Sequence, residues 1–210
     1  KPSVHRTLTA LARRGFVESG PRHGSYRLGP TLYALAQQSM TFSDTVNLLH
    51  RPLSQIAAAT ECIAYLFVPA GIDALCMDVQ HGPQQGQTLT SGVGARLPLG
   101  IGSASICLLA GMDDISAQKV IQANTARYAN FPHHDVAAVQ NWVGEARRKA
   151  YSLERGRFNS GTGALAIAVP GQFGSLRAAI SIAGFVERFN DANIPRLIDT
   201  MQEILAAETA

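Results

Sequence analysis

The chain has 210 residues, 46% of them apolar, and a formal charge of +3; this reads as globular, with material for one good-sized core or a medium domain joined to a small one. No run approaches the roughly 18 consecutive apolar residues of a membrane span, and no basic-then-apolar leader precedes the first helix, so a cytoplasmic setting without membrane contact is expected. The charge is uneven: residues 1–28 hold Lys1, Arg6, Arg13, Arg14, Arg22 and Arg27 against Glu18 alone, net +5, whereas residues 29–210 carry 12 basic and 14 acidic side chains, net −2. A short basic segment on a near-neutral body is the pattern of one part that meets a polyanion and another that handles something else.

In chain order, Pro2 suits the first turn of a helix, and neither Gly nor a further Pro interrupts before Gly15, so the spacing predicts a helix from Pro2 to about Arg14. Val4, Leu8, Leu11 and Ala12 recur at helical spacing and are expected to pack, with Arg6, Thr9 and Arg13 on the opposite face. "FVES" and "SYRL" read as short strands joined by "GPRHG", a turn that presents Arg22 and His23. Helix followed by basic-tipped hairpin is the second half of a winged helix, whose helix fits the major groove of DNA. Ser3, His5 and Arg6, in the first turns, are placed to reach bases; Arg13, Arg14, Arg22 and Tyr26 are better placed for phosphates, and Lys1 and His23 complete the DNA-facing set. The plainer alternative is a surface helix with solvated charges.

Residues 29–42 read as a helical linker with Leu32, Leu35 and Ala36 on one stripe, and a second helix is expected from an N-cap at Asp44, with Pro52 a local irregularity. "ECIAYLFV" and "ALCMDVQ" are expected strands, with "GQTLT" a third; "DDISAQKVIQAN" and "HDVAAVQNWVGEARRKA" are expected capped helices. "GALAIAVP" and "LRAAISIAG" read as a late hairpin through "GQFGS", and a last helix covers about Ile194 to Ala207. The sum is an α+β chain with an antiparallel sheet covered by helices.

Chemistry is sparse. Cys62, Cys76 and Cys107 lie far apart without C-x-x-C spacing and read as buried thiols, not disulfides or a zinc site. Ser103 lacks the flanking glycines of a nucleophile elbow, since Ile101 and Ser105 stand in their places. His133, His134 and Asp135 precede a helix and are read as capping it, not as metal ligands. "GVGAR" and "GIGSA" carry neither a phosphate-loop lysine nor the full dinucleotide fingerprint. No catalytic residue, metal or cofactor is therefore assigned. "PLGIGSASICLL" offers a helix start at Gly102, Ser103 and Ala104, whose backbone N–H groups and small side chains outline a carboxylate site and equally suit a tightly packed helix entrance.

"SVHRTLTALARRGFVES" with "YRLG", then "GARLPLGIGSASICLLAG", then "GALAIAVPG" with "LRAAISIAG", in that order over nearly the whole chain, resemble the isocitrate lyase regulator (IclR) family of bacterial transcription factors. The resemblance implies a winged helix-turn-helix in residues 1–28, with a further piece ahead of Lys1 carrying its first helices, a linker helix in 29–42 and a GAF-like effector domain in 43–210. It implies a small-molecule effector, an organic or aromatic acid, held by Gly102, Ser103, Ala104 and Gly156 together with Ala166, Ser181 and Ala183 of the late strands. Against the family pattern, Asn159 stands where a glutamate is usual, Ala166 replaces a small polar residue, and Ala183 replaces the second of two alternating serines. The function expected is a ligand-responsive regulator, homodimer or homotetramer, on double-stranded operator DNA. The alternatives are a metabolite-sensing module without DNA contact and an enzyme on the same kind of fold.

Overall fold

The computed structural model describes residues 2–38, 40–83, 92–157, 160–171 and 177–207. It divides into two compact units, residues up to Asp44 and residues from Thr45 onward.

In the first unit, helix α1 (Pro2–Arg13) is followed by a two-stranded antiparallel hairpin, β1 (Val17–Ser19) and β2 (Tyr26–Leu28), and by α2 (Pro30–Gln38). Gly15 ends α1 in the left-handed region (φ 70°), and its N–H and that of Phe16 donate back to the carbonyls of Ala12 and Leu11. That is a Schellman motif, in which the last orphan carbonyls of the helix are satisfied. The chain then returns to the same corner: Thr31 Oγ1 donates to the Arg14 carbonyl at 2.8 Å and Thr31 N to the Gly15 carbonyl at 3.2 Å. Gly29 has to be glycine there, because a Cβ would lie 2.0 Å from the Gly15 carbonyl oxygen.

The second unit is built on a six-stranded antiparallel sheet. Its strands are β3 (Ile63–Ala70), β4 (Asp73–His81), β5 (Arg96–Pro98), β6 (Tyr151–Arg155), β7 (Thr162–Ala168) and β8 (Ala179–Phe185), in the order β5-β4-β3-β8-β7-β6. Alternation along the strands sends side chains to two separate cores. Ala64, Leu66, Leu165, Ile167, Ile180 and Ile182 pack under α3 (Met40–Thr60) and α8 (Ile194–Ala207). On the other face Tyr65, Phe67, Ala164, Ala166, Ala179 and Ala183 pack under α4 (Ser103–Ala110), α5 (Asp114–Ala123), α6 (Thr125–Tyr128) and α7 (Val136–Lys149). Bulky branched residues fill the first core; the second has an alanine floor, which leaves room above it.

Four expectations need correction. Of the α1 face expected to pack, only Leu8 is half-buried; Val4 is 63% and Leu11 37% exposed and Ala12 is exposed, since a hairpin of three-residue strands cannot cover a twelve-residue helix. The second helix is already under way at Met40, four residues before Asp44, with no Gly or Pro to delay it. Two strands, β5 and β6, were not anticipated. Thr9, expected on the free face, is half-buried, its Oγ1 donating to the His5 carbonyl at 2.8 Å. The expected strand at 86–90, most of the "GQFGS" turn, Asn159 and Lys1 lie outside the described residues, as does the side chain of Asp44.

Candidate functional site

The second unit encloses a cavity between the alanine floor and the start of α4. Unfilled space there amounts to about 480 Å³ including the mouth, of which about 40 Å³ is wide enough to admit water. It is a narrow slot. The turns at Ile72 and at Leu99 and Gly100 are fixed from several sides: Tyr128 Oη donates to the Leu99 carbonyl at 2.6 Å, Asn124 Nδ2 to the Ile72 carbonyl at 2.7 Å, and Gly100 N to Ser105 Oγ at 3.1 Å. Burial pushes the Tyr128 phenol up to about 12, so it stays a neutral donor. Gly100 and Gly102 both take positive φ, and a Cβ on Gly100 would strike the Tyr128 hydroxyl at 2.5 Å.

Gly102 is the N-cap of α4 and has no side chain to cap it, so the N–H groups of the first turn meet the cavity at the positive end of the helix dipole. Two buried hydroxyls stand beside them, Ser103 Oγ and Ser181 Oγ, 3.0 Å apart. The register places Ala166 and Ala183 next to Ser181 and, one step across, Ala164 next to Glu154. Glu154 is 2% exposed, and its Oε1 accepts the backbone N–H of Arg157. One side of the slot is therefore rich in donors, the far side carries a carboxylate, and alanines lie between.

Of the residues expected to form the effector site, Gly102, Ser103, Ala104, Ser181 and Ala183 line this cavity. Ala166 is buried in the floor without reaching the lining, and Gly156 sits in the turn after β6, against Ser160. These two do not join the cluster. The lining also takes in Tyr65, Phe67, Leu97 and Glu154, none of which was singled out. The acid at the cavity is Glu154, on β6.

In the first unit Ser3, His5, Arg6, Arg13, Arg14, Arg22 and His23 are all exposed, and Tyr26 is 40% exposed. Helical spacing puts Ser3, Arg6 and Arg13 on one face of α1 and His5 towards its apolar flank. Arg22 and His23 stand at the hairpin tip, where the Ser25 hydroxyl donates to the Arg22 carbonyl at 2.6 Å. Arg27, in contrast, is bound to Glu18 at 2.8 Å, so part of the segment's charge is spent within the hairpin.

Asp135 caps α7, accepting from Ala138 N at 2.7 Å. Among the described residues no group of three His, Cys, Asp or Glu is arranged to hold a metal. All three cysteines are buried and unbridged, and burial pushes Cys76 and Cys107 up to about 12, leaving them poor nucleophiles. His134 is buried, donates through Nδ1 to the Pro132 carbonyl at 2.6 Å and packs edge-on against Trp142. Burial holds its pKa below the ordinary 6.5, with the Pro132 carbonyl opposing. The folded state thus prefers the neutral ring, so this contribution to stability is present above about pH 6.5 and is lost as pH falls through and below that value. A melting temperature followed from about pH 7.5 to about 5.5 is expected to fall less steeply in His134→Phe than in the parent; parallel curves would remove His134 from the account.

Residues 37–208 match the family of the bacterial transcriptional regulator IclR C-terminal domain. The chain belongs to the IclR family. Among relatives, it is 20% identical to the HTH-type transcriptional regulator XynR of Escherichia coli, over 97% of this chain and 81% of that protein. The fold is that of an IclR regulator from Silicibacter sp. TM1040 (TM-score 0.82, 19% identity, 99% of this chain and 82% of that one). It is likewise that of an IclR homolog from Microbacterium hydrocarbonoxydans complexed with 4-hydroxybenzoate (TM-score 0.79, 18% identity, 99% and 85%). The slot at the start of α4 is thus a cavity in an IclR-type C-terminal domain. No helix among the described residues is long and apolar enough to cross a membrane.

Proposed function

We propose that this IclR-family chain is a ligand-responsive transcriptional regulator in which residues 1–28 read operator DNA, residues 29–42 link, and residues 43–210 bind a carboxylic acid with an apolar or aromatic body. The observation that carries the reading is the Ser103–Ser181 hydroxyl pair, 3.0 Å apart beside the uncapped start of α4, at one side of a slot floored by alanines. A carboxylate there accepts from hydroxyls and first-turn N–H groups and is favoured by the helix dipole. The alanine floor suits a flat body, and Glu154 on the far side accepts a hydrogen bond from a donor such as a ring hydroxyl. The ligand bound by the Microbacterium homolog, 4-hydroxybenzoate, has this chemistry. Ser103 is bonded to another hydroxyl, not to a base that would activate it, which favours binding over catalysis.

The slot has room for only about three waters as it stands, so an aromatic body requires its walls to part. A ligand that fits the parted state better than the closed one shifts the balance between them, as regulation requires. Reading DNA with one helix covers few base pairs, so the working form is a homodimer or homotetramer with paired helices, acting in the cytoplasm. The test is the anisotropy of a labelled duplex from upstream of the gene, titrated with full-length protein with and without saturating 4-hydroxybenzoate. Affinity is expected to change by about fivefold or more. Unchanged affinity with ligand demonstrably bound would contradict the regulatory reading, and absence of any duplex binding would favour a sensor module without DNA contact.

A further inference from the structure

The slot is too narrow for an aromatic body until a wall moves, and its walls are not held alike. The floor strands β3, β8 and β7 are each paired on both sides. β5 is an edge of the sheet, three residues long and paired to β4 alone, and it leads through Leu99 and Gly100 into the start of α4. From this stretch Leu97, Ile101 and Gly102 line the slot. Glycines of positive φ stand at both of its ends, Gly92 and Gly94 before and Gly100 and Gly102 after, which is where a backbone that swings as a unit has to absorb the change.

A buried side chain ties this stretch down. Asn124, at the junction of α5 and α6, is fully buried; its Nδ2 donates to the Ile72 carbonyl at 2.7 Å and to the Leu99 carbonyl at 3.3 Å, and its Oδ1 accepts from Arg127 Nη1 at 2.9 Å. Leu99 N donates to the same Ile72 carbonyl at 3.0 Å. The outer half of the network is ionic: Asp73 accepts from Arg127 Nη1 at 2.6 Å and from Arg96 Nη1 at 3.3 Å. A carboxamide is costly to bury, and the helix junction does not need this one, since backbone groups already complete it: Asn124 N donates to the Val120 and Ile121 carbonyls, and Arg127 N and Tyr128 N donate to the Asn124 carbonyl. Both donor bonds of the Asn124 side chain therefore serve the β3–β4 turn and the 96–102 stretch.

We propose that Asn124, with Arg127 and Asp73, positions the movable wall of the effector slot: the three clasp the 96–102 stretch shut, and release of the clasp admits the aromatic acid, an inference that rests on the reading of the slot as the effector site. Closed, the clasp keeps Ser103 within 3.0 Å of Ser181; opening withdraws Leu97 and Ile101 from the alanine floor. A ligand that enters only the open form has its apparent affinity reduced by the fraction that is open. Loosening the clasp therefore tightens binding while it lowers stability, whereas the loss of a side chain that only supports the fold lowers stability and tightens nothing.

Amide hydrogen exchange in the ligand-free whole protein reads the opening at Leu99, Gly100 and Ile101, whose N–H groups are bonded to the Ile72 carbonyl, Ser105 Oγ and the Pro98 carbonyl. In Arg127→Ala and Asn124→Ala exchange at these three is expected to quicken about tenfold while β3 and β8 keep the parent's rates, and calorimetry is expected to show 4-hydroxybenzoate bound tighter by about the same factor. Arg127→Lys should return both quantities towards the parent. Arg188→Ala, which breaks bonds to the Thr60 carbonyl and Glu61 and does not touch the slot lining, is the destabilised control and should change neither. The Arg127 side chain is 38% exposed, so its variant keeps the test open should Asn124→Ala fail to fold. Unchanged exchange at Leu99, Gly100 and Ile101 in Arg127→Ala overturns the clasp, whichever acid binds. Faster exchange with 4-hydroxybenzoate bound no tighter overturns its control of entry. Faster exchange with no binding of 4-hydroxybenzoate by parent or variants upholds the clasp and counts against the carboxylate reading of the slot instead.

Discussion

Arg6→Ala in the full-length regulator is expected to weaken binding to the cognate operator by about 1–3 kcal/mol and to relax sequence preference at one position of each half-site. Arg6 is exposed in the first turns of α1, on the face that Ser3 and Arg13 share and away from Val4, Leu8 and Leu11. A guanidinium so placed can take a guanine edge with two parallel hydrogen bonds, which alanine cannot replace. Arg22, at the hairpin tip, is placed for phosphate instead, so Arg22→Ala should weaken all duplexes alike and reduce the salt slope by about one. Arg27 supplies the internal control: its guanidinium is held by Glu18, so Arg27→Ala should change affinity least of the three. Affinity titrations at several salt concentrations, on cognate and scrambled duplexes, check all three variants. Equal affinities for the parent, Arg6→Ala and Arg22→Ala would remove α1 and the hairpin from the DNA-facing role.

The second large effect belongs to the slot. Ser181→Ala should weaken binding of an aromatic acid by about 1–3 kcal/mol, because it removes one hydroxyl from the carboxylate and strips the buried Ser103 hydroxyl of its partner at 3.0 Å. Glu154→Gln should act differently: it leaves the carboxylate end intact and erodes the preference for a ring that carries a hydroxyl over one that does not. Calorimetric titration of both variants with benzoate and 4-hydroxybenzoate separates the two roles. If Ser181→Ala binds both acids as the parent does, the carboxylate does not sit at the start of α4.

Much of this arrangement was legible from residue pattern. α8 runs from Ile194 to Ala207 as its periodicity predicts, and Asp113 and Asp135 cap α5 and α7 by accepting from Ser116 N and Ala138 N. That Gly102 and Ser103 line one cavity with Ser181 was expected from the resemblance to the IclR family and not from residue spacing, which left the helix start equally open to a tightly packed entrance. β6 was not legible, since only Ala150 separates it from α7 and a non-glycine residue in the left-handed region gives no signal of a break. With β6 went Glu154, whose alternation on that strand is what turns it towards the slot. The α1 face misled for another reason: helical spacing identifies an apolar stripe, but whether Val4 and Leu11 are covered depends on what lies against them.

A thermal-shift comparison of acids tests whether the slot takes a carboxylate with an apolar body. Benzoate and 4-hydroxybenzoate are set against acetate, glycolate and other short hydrophilic acids, each at matched pH and ionic strength. At a concentration 100 times its dissociation constant a ligand that binds only the folded state stabilises it by about 2.7 kcal/mol, enough for a clear rise in melting temperature. That rise is expected for the aromatic acids, largest for 4-hydroxybenzoate and reduced in Ser181→Ala, with little from the short acids. Stabilisation by the short hydrophilic acids, with none from the aromatic ones, would contradict it.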